Sequence, residues 1–129
     1  MSYILAVDDD PDILAVVSLQ LKMSGYEVVT APSALDALRV LRENGPPLAA
    51  VVDVAMPELS GLDLVRIFRG RPDTAGLPVV FLSARVLASD VAAGEALGAS
   101  YVTKPFKKST LLDALDCELA GHPMAAGQS

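Results

Sequence analysis

Val51-Val52-Asp53-Val54-Ala55-Met56-Pro57 is an apolar run that ends on a single carboxylate. Leu48 to Val52 is continuously apolar, and its valines suit a strand buried on both faces, as in a parallel sheet. Asp53 falls where that strand should emerge, and Met56-Pro57 with Gly61 turns the chain away. An acid at the end of a buried strand is costly unless it is paired, metal-bound or engaged in chemistry. What else the chain delivers to that spot therefore bears on its function.

Working outward, hydrophobic runs alternate with segments of helical period. On the N-terminal side, Tyr3 to Val7 is a strand followed by Asp8-Asp9-Asp10 and Pro11. Asp10 before Pro11 predicts a helix start, an N-cap with proline in the first turn. Ile13, Leu14, Val17 and Leu21 recur at helical spacing until Gly25. Glu27-Val28-Val29 is a short second strand. Ser33 with Asp36 has capping-box spacing, and Leu35, Leu38 and Leu41 continue that helix towards Asn44-Gly45-Pro46-Pro47. On the C-terminal side, Ser60 and Asp63 repeat the capping pattern, Leu62, Val65 and Phe68 form an apolar stripe, and Gly70 follows. Pro78 to Leu82 is a fourth strand ending at Ser83-Ala84. A helix with Val91 and Leu97 closes at Gly98, and Tyr101-Val102-Thr103 is a fifth strand leading into Lys104-Pro105-Phe106. Leu111, Leu112, Leu115 and Leu119 mark the last helix, with Gly121 at its end and 122–129 as a frayed tail.

Five strands separated by single helices imply an α/β fold with a parallel sheet, right-handed crossovers and helices on both faces. At 129 residues the chain suits one domain, expected over 1–121 with a flexible tail over 122–129. Hydrophobic residues make up 52%, yet Asp, Lys or Arg interrupts every apolar stretch well short of a membrane span. No basic leader precedes the first strand, so no signal peptide is expected. One cysteine, Cys117, permits no internal disulfide and fits a reducing cytoplasm. The net charge of −6 argues against a nucleic-acid surface, and Lys104, Lys107 and Lys108 flank a helix start rather than form a patch. Cys117 and His122 read as structural or incidental, and Met23, Met56 and Met124 form no stripe.

In a parallel sheet all strand C-terminal ends share one edge, and ligands bind there where the strand order reverses. Asp8 and Asp9 follow strand one, Asp53 ends strand three, Ser83 strand four, and Lys104 follows strand five. Three carboxylates this close need compensating cations. Lys104 supplies one positive charge, and an all-oxygen donor set with room for waters suits Mg²⁺ for the rest. A carboxylate beside a metal and a lysine can attack a phosphoryl group to give an acyl phosphate. Metal and ammonium would neutralise its oxygens, and the Ser83 hydroxyl could donate to one of them. Asp10, by contrast, is accounted for by capping.

Val7-Asp8-Asp9-Asp10-Pro11, Asp53-Val54-Ala55-Met56-Pro57 with Gly61, Ser83-Ala84 and Lys104-Pro105-Phe106 together resemble the receiver domain of bacterial two-component response regulators. The likeness spans about Tyr3 to Leu119, and four motifs in order at the right strand ends make it specific. It implies a flavodoxin-like (βα)5 doubly wound sheet with strand order 2-1-3-4-5. Carried over residue by residue, it implies that Asp53 is the phosphoacceptor. Asp9 and Asp53 would be direct Mg²⁺ ligands, with the Ala55 backbone carbonyl a third and Asp8 acting mainly through water. Ser83 matches the switch hydroxyl, Lys104 the phosphoryl-binding lysine before a cis proline, and Tyr101 the aromatic whose rotamer tracks phosphorylation.

The chain departs from the family pattern in places. Gly98-Ala99-Ser100-Tyr101 is one residue shorter than is common before the lysine, and Ser60 stands where an acid or Asn is frequent. Ala55 offers no polar side chain to guide an attacking water, and Arg85 lies two residues past Ser83; both bear on phosphoryl lifetime. The expected function is a non-enzymatic, cytoplasmic phosphorelay receiver. A histidine kinase or phosphotransfer protein would phosphorylate it, and the face of the fourth helix, fifth strand and fifth helix would signal to an output protein without direct DNA or membrane binding. The alternative is a receiver-shaped interaction scaffold that is never phosphorylated. A metal-dependent phosphatase would share the Asp53 chemistry but normally needs a second acid two residues on, where Ala55 stands.

Overall fold

The computed structural model describes residues 2–84 and 87–121. Five strands alternate with five helices: β1 (Ile4–Val7), α1 (Pro11–Met23), β2 (Val28–Ala31), α2 (Ala34–Asn44), β3 (Ala49–Asp53), α3 (Gly61–Arg69), β4 (Val79–Ser83), α4 (Ala88–Ala96), β5 (Ser100–Thr103) and α5 (Lys108–Leu119). All strand pairs are parallel, in the order β2-β1-β3-β4-β5. This is the doubly wound flavodoxin-like architecture expected from the sequence. Its order reverses between β1 and β3, where the registers Val7↔Val52 and Asp53↔Leu82 bring three strand ends level.

The two faces of the sheet bury alternate residues of β1, β3, β4 and β5, as the pleat requires. Leu5, Val7, Ala50, Val52, Val79, Phe81 and Tyr101 pack with α2 and α3 residues including Ala37, Leu41, Leu64 and Phe68. Ile4, Ala6, Val51, Val80, Leu82 and Val102 pack with Val17 and Leu21 of α1 and with Leu111 and Leu115 of α5. Burial on both faces explains why these strands read as continuous apolar runs rather than as alternation.

The helix signals form the caps they predict. Asp10, in extended backbone, accepts the Asp12 N–H, and Pro11 occupies the first turn. Ser60 and Asp63 make both bonds of a capping box. At α2 the Asp36 N–H donates to Ser33 Oγ, but the Asp36 carboxylate accepts the Ser33 hydroxyl rather than a backbone N–H. Gly25 (φ 93°) and Gly98 (φ 72°) follow their helices in the left-handed region, whereas Gly70 stays right-handed (φ −86°).

Two apolar residues depart from the expectation. Leu35 is 58% exposed, because leucines three apart drift round a helix of about 3.6 residues per turn. The buried face of α2 is instead Ala34, Ala37, Val40 and Leu41. Leu48 is also exposed: its N–H donates to the Tyr3 carbonyl (2.7 Å), but the strand proper begins at Ala49. Arg85 and the tail over 122–129 lie outside the described residues.

Candidate functional site

Every chemically notable residue at the C-terminal edge of the sheet is placed by a strand end. Asp8 leaves β1 and is buried. Its Oδ1 accepts the Asp10 N–H (2.9 Å), so the turn that starts α1 also orients Asp8. Asp53 closes β3 and is buried, and the turn after it is held by the Gly61 N–H donating to the Val54 carbonyl (2.9 Å). A Cβ on Gly61 would fall on the Asp53 carbonyl and press against the Val52 side chain, so the backbone passes here only because residue 61 has none. Ser83 closes β4 and is buried, and its carbonyl accepts the Lys104 N–H (2.7 Å), tying the end of β5 to that of β4. The Lys104–Pro105 peptide bond is cis.

Of the residues at these strand ends, the side chains of Lys104, Asp8, Asp9 and Asp53 converge. Lys104 Nζ donates to Asp8 Oδ2 (2.8 Å) and to Asp53 Oδ1 (3.1 Å), with the ammonium largely shielded from water. Asp9 is exposed. One carboxylate oxygen each of Asp8, Asp9 and Asp53 lies within 4.8 Å of the others. Three acids thus face one ammonium. Burial and the neighbouring Asp8 push the Asp53 carboxyl up to about 6, Lys104 opposes the rise, and Asp9 adds to it. Burial alone would lower the Lys104 ammonium, but its bonds and charge interactions with Asp8 and Asp53 outweigh that and hold it above the ordinary lysine value.

The donor chemistry fits a hard divalent cation: clustered carboxylate oxygens, an exposed member towards solvent, and negative charge that one lysine does not balance. Ala55 is exposed on the loop after β3. Tyr101 lies apart from this cluster, buried in the layer beneath α4, with its ring centroid 6.2 Å from that of Phe81. Gly94 of α4 rests on both rings; a Cβ there would stand 3.3 Å from Phe81 and 3.4 Å from Tyr101.

A second polar cluster, at the opposite end of the sheet, was not singled out from the sequence. Arg69 Nε donates to the Leu97 carbonyl (2.8 Å) and its Nη1 to the Leu77 carbonyl (2.8 Å). Nearby, buried Glu118 accepts from Ser100 Oγ (2.6 Å). The spacings carry no hint of it, because α3, α4 and α5 contribute from distant parts of the chain.

Comparison with known proteins agrees with this geometry. The response regulator receiver domain family matches residues 4–116. The chain is 37% identical over 127 residues to the transcriptional regulatory protein KdpE of Mycobacterium tuberculosis, covering 98% of this chain and 54% of that protein. It is 42% identical over 110 residues to the transcriptional regulatory protein PrrA of the same species, covering 84% and 46%. The chain therefore spans about half the length of the curated relatives it matches. Among solved structures, the chemotaxis protein CheY4 of Vibrio cholerae superposes with a TM-score of 0.83 at 32% identity, covering 90% of this chain and 97% of that one. No helix among the described residues is long and apolar enough to cross a membrane. With the fold, the strand-end residues and these likenesses in agreement, the chain belongs to the response regulator receiver domain family.

Proposed function

We propose that this chain is a phosphorylation switch whose acceptor is Asp53. The observation that carries this is the Lys104 ammonium held against both Asp8 and Asp53 at the mouth of an acidic cluster. An Asp53 oxygen attacks phosphorus in a phosphohistidine of a kinase or phosphotransfer protein. The O–P bond forms as the P–N bond breaks, and the leaving imidazole nitrogen keeps the electron pair and takes a proton from solvent. Lys104 neutralises charge on the phosphoryl oxygens, and the Ser83 hydroxyl donates to one of them.

Asp9, Asp53 and the Ala55 carbonyl would hold Mg²⁺ directly, with Asp8 acting through water. When bound, the ion supplies the positive charge that Lys104 alone does not. Asp8 meanwhile orients Lys104 through the 2.8 Å bond. Drawing Ser83 towards the phosphoryl group shifts Tyr101, and with it the α4–β5–α5 face, towards the state that a cytoplasmic output protein recognises. Tyr101 beneath Gly94 supports that route, since its ring and that of Phe81 are what Gly94 of α4 rests on. The chain's own chemistry is limited to gaining and losing this group.

Intact mass after exposure to Mg²⁺ and acetyl phosphate tests the proposal. A phosphate-sized gain that needs Mg²⁺ and is lost in Asp53→Asn is expected. No gain under any condition favours the unphosphorylated scaffold, and steady hydrolysis of an added phosphomonoester favours the phosphatase.

A further inference from the structure

At the end of the sheet opposite Asp53, a cavity of about 300 Å³ opens between the start of β4 and the C-terminal ends of α3, α4 and α5. Arg69, Leu77, Pro78, Leu97, Glu118 and Gly121 line it. Two opposite charges share its wall without meeting in an ion pair among the described residues. Each is instead fixed by other groups. Arg69 is held by the Leu77 and Leu97 carbonyls and, more loosely, the Thr74 carbonyl (3.4 Å), and Glu118 by the Ser100 hydroxyl and backbone N–H and, more loosely, the Val79 N–H (3.4 Å). Both anchors leave hydrogen-bonding capacity, since a guanidinium carries five N–H groups and a carboxylate about four acceptor sites.

The remaining surface suits a short aliphatic chain. Leu77, Pro78 and Leu97 are apolar, and among the described residues added Cβ atoms at Gly98 and Gly121 would meet nothing within 4 Å. Helix C-termini bring partial negative charge to this end, which favours a cation beside Glu118. With its Nε and Nη1 hydrogens engaged by the Leu97, Leu77 and Thr74 carbonyls, Arg69 offers a carboxylate its Nη2 N–H groups.

We propose that this cavity binds a small aliphatic zwitterion, an amino-carboxylate whose carboxylate meets Arg69 and whose ammonium meets Glu118. The volume admits a free molecule of this kind, with its methylenes over Leu77 and Leu97. The site is separate from Asp53 and does not depend on phosphorylation. Because Arg69 also holds the Leu97 carbonyl at the end of α4, occupancy is reported by backbone amides on that segment.

The test is a titration of the isotope-labelled chain, followed by amide chemical shifts, with glycine, β-alanine, γ-aminobutyrate and ε-aminocaproate. Butyrate and butylamine serve as single-charge controls. Saturable shifts are expected at Leu77, Leu97, Gly98 and Gly121, with one chain length binding tightest. Both controls should bind about tenfold more weakly, the lower end of what a hydrogen bond to a charged group contributes. Glu118→Gln, which keeps an acceptor for Ser100, should reduce the best zwitterion to the level of butyrate. Absence of saturable shifts with the wild type, controls that bind as well as the best zwitterion, or unchanged zwitterion affinity in Glu118→Gln would each overturn the proposal.

Discussion

Lys104 Nζ lies 3.1 Å from Asp53 Oδ1, although Lys104 follows β5 and Asp53 ends β3, two strands separated by β4. Strands stand roughly 4.8 Å apart, so the lysine reaches across about two strand spacings to meet the acid. Its other carboxylate, Asp8, lies one strand further on. One ammonium thus gathers the ends of β1, β3 and β5. The cation is shared between two buried acids, and the cluster remains short of positive charge.

That shortage makes stability depend on pH in a defined direction. Unfolded, Asp53 loses its proton near the ordinary value of about 4; folded, it does so at about 6. Between these values the folded protein binds more protons than the unfolded chain, so stability falls as pH rises through the window and levels off above it. Asp53→Asn, which removes the buried charge, is expected to be more stable than wild type at pH near 7 by roughly 2 kcal/mol, with the advantage fading below about pH 4. Urea unfolding of both proteins at several pH values checks this.

The same protonation opposes metal binding. Ligand carboxylates must be ionised, so Mg²⁺ affinity should fall as pH drops through about 6. Mg²⁺ is expected to raise the thermal midpoint of wild type at neutral pH and to lose most of that effect in mildly acidic buffer. Asp53→Asn should show little of it at either pH.

Gly61→Ala should be severely destabilising. The added methyl collides with the Asp53 backbone carbonyl rather than with a side chain that can swing away. A loss of about 3 kcal/mol or more is expected, read from the denaturant midpoint, since relief requires moving the β3–α3 turn. The acidic cluster should be disturbed with it, so Mg²⁺ stabilisation should weaken in parallel.

Glu58 sits in the turn after β3 with φ 69°, a left-handed conformation that a side chain makes costly. It is exposed and makes no ion pair among the described residues, so replacing it removes the strain with little else. Glu58→Gly is expected to stabilise the protein by about 0.5–1 kcal/mol. An unchanged or lower unfolding midpoint would show that the carboxylate contributes something beyond the local backbone.

Much of the fold was legible because local signals agree with it. The apolar runs of β1, β3 and β4, the Asp10-Pro11 start and the Ser60–Asp63 box each state an element in a few residues. The acidic cluster was legible for a topological reason: a parallel sheet sends Asp8, Asp53, Ser83 and Lys104 to one edge wherever its boundaries fall within a residue or so. Facts that require knowing which helix face meets the sheet were not legible. Leu35 looked like part of an apolar stripe, yet the contact face of α2 is Ala34, Ala37, Val40 and Leu41. Arg69, Leu97 and Glu118 likewise carry no shared spacing, and only the convergence of three helix ends brings them to one cavity. The demand on Gly61 is of the same kind, since a turn signal does not reveal that a carbonyl lies where its Cβ would be.

The measurement that tests the central claim most directly is the position of the phosphoryl group. The wild-type chain is treated with Mg²⁺ and acetyl phosphate, reduced with borohydride to convert an aspartyl phosphate to homoserine, and mapped by peptide mass spectrometry. Homoserine at position 53, dependent on Mg²⁺, is the predicted result. Homoserine at position 8 or 9, or none under conditions where the protein remains folded, would contradict the account.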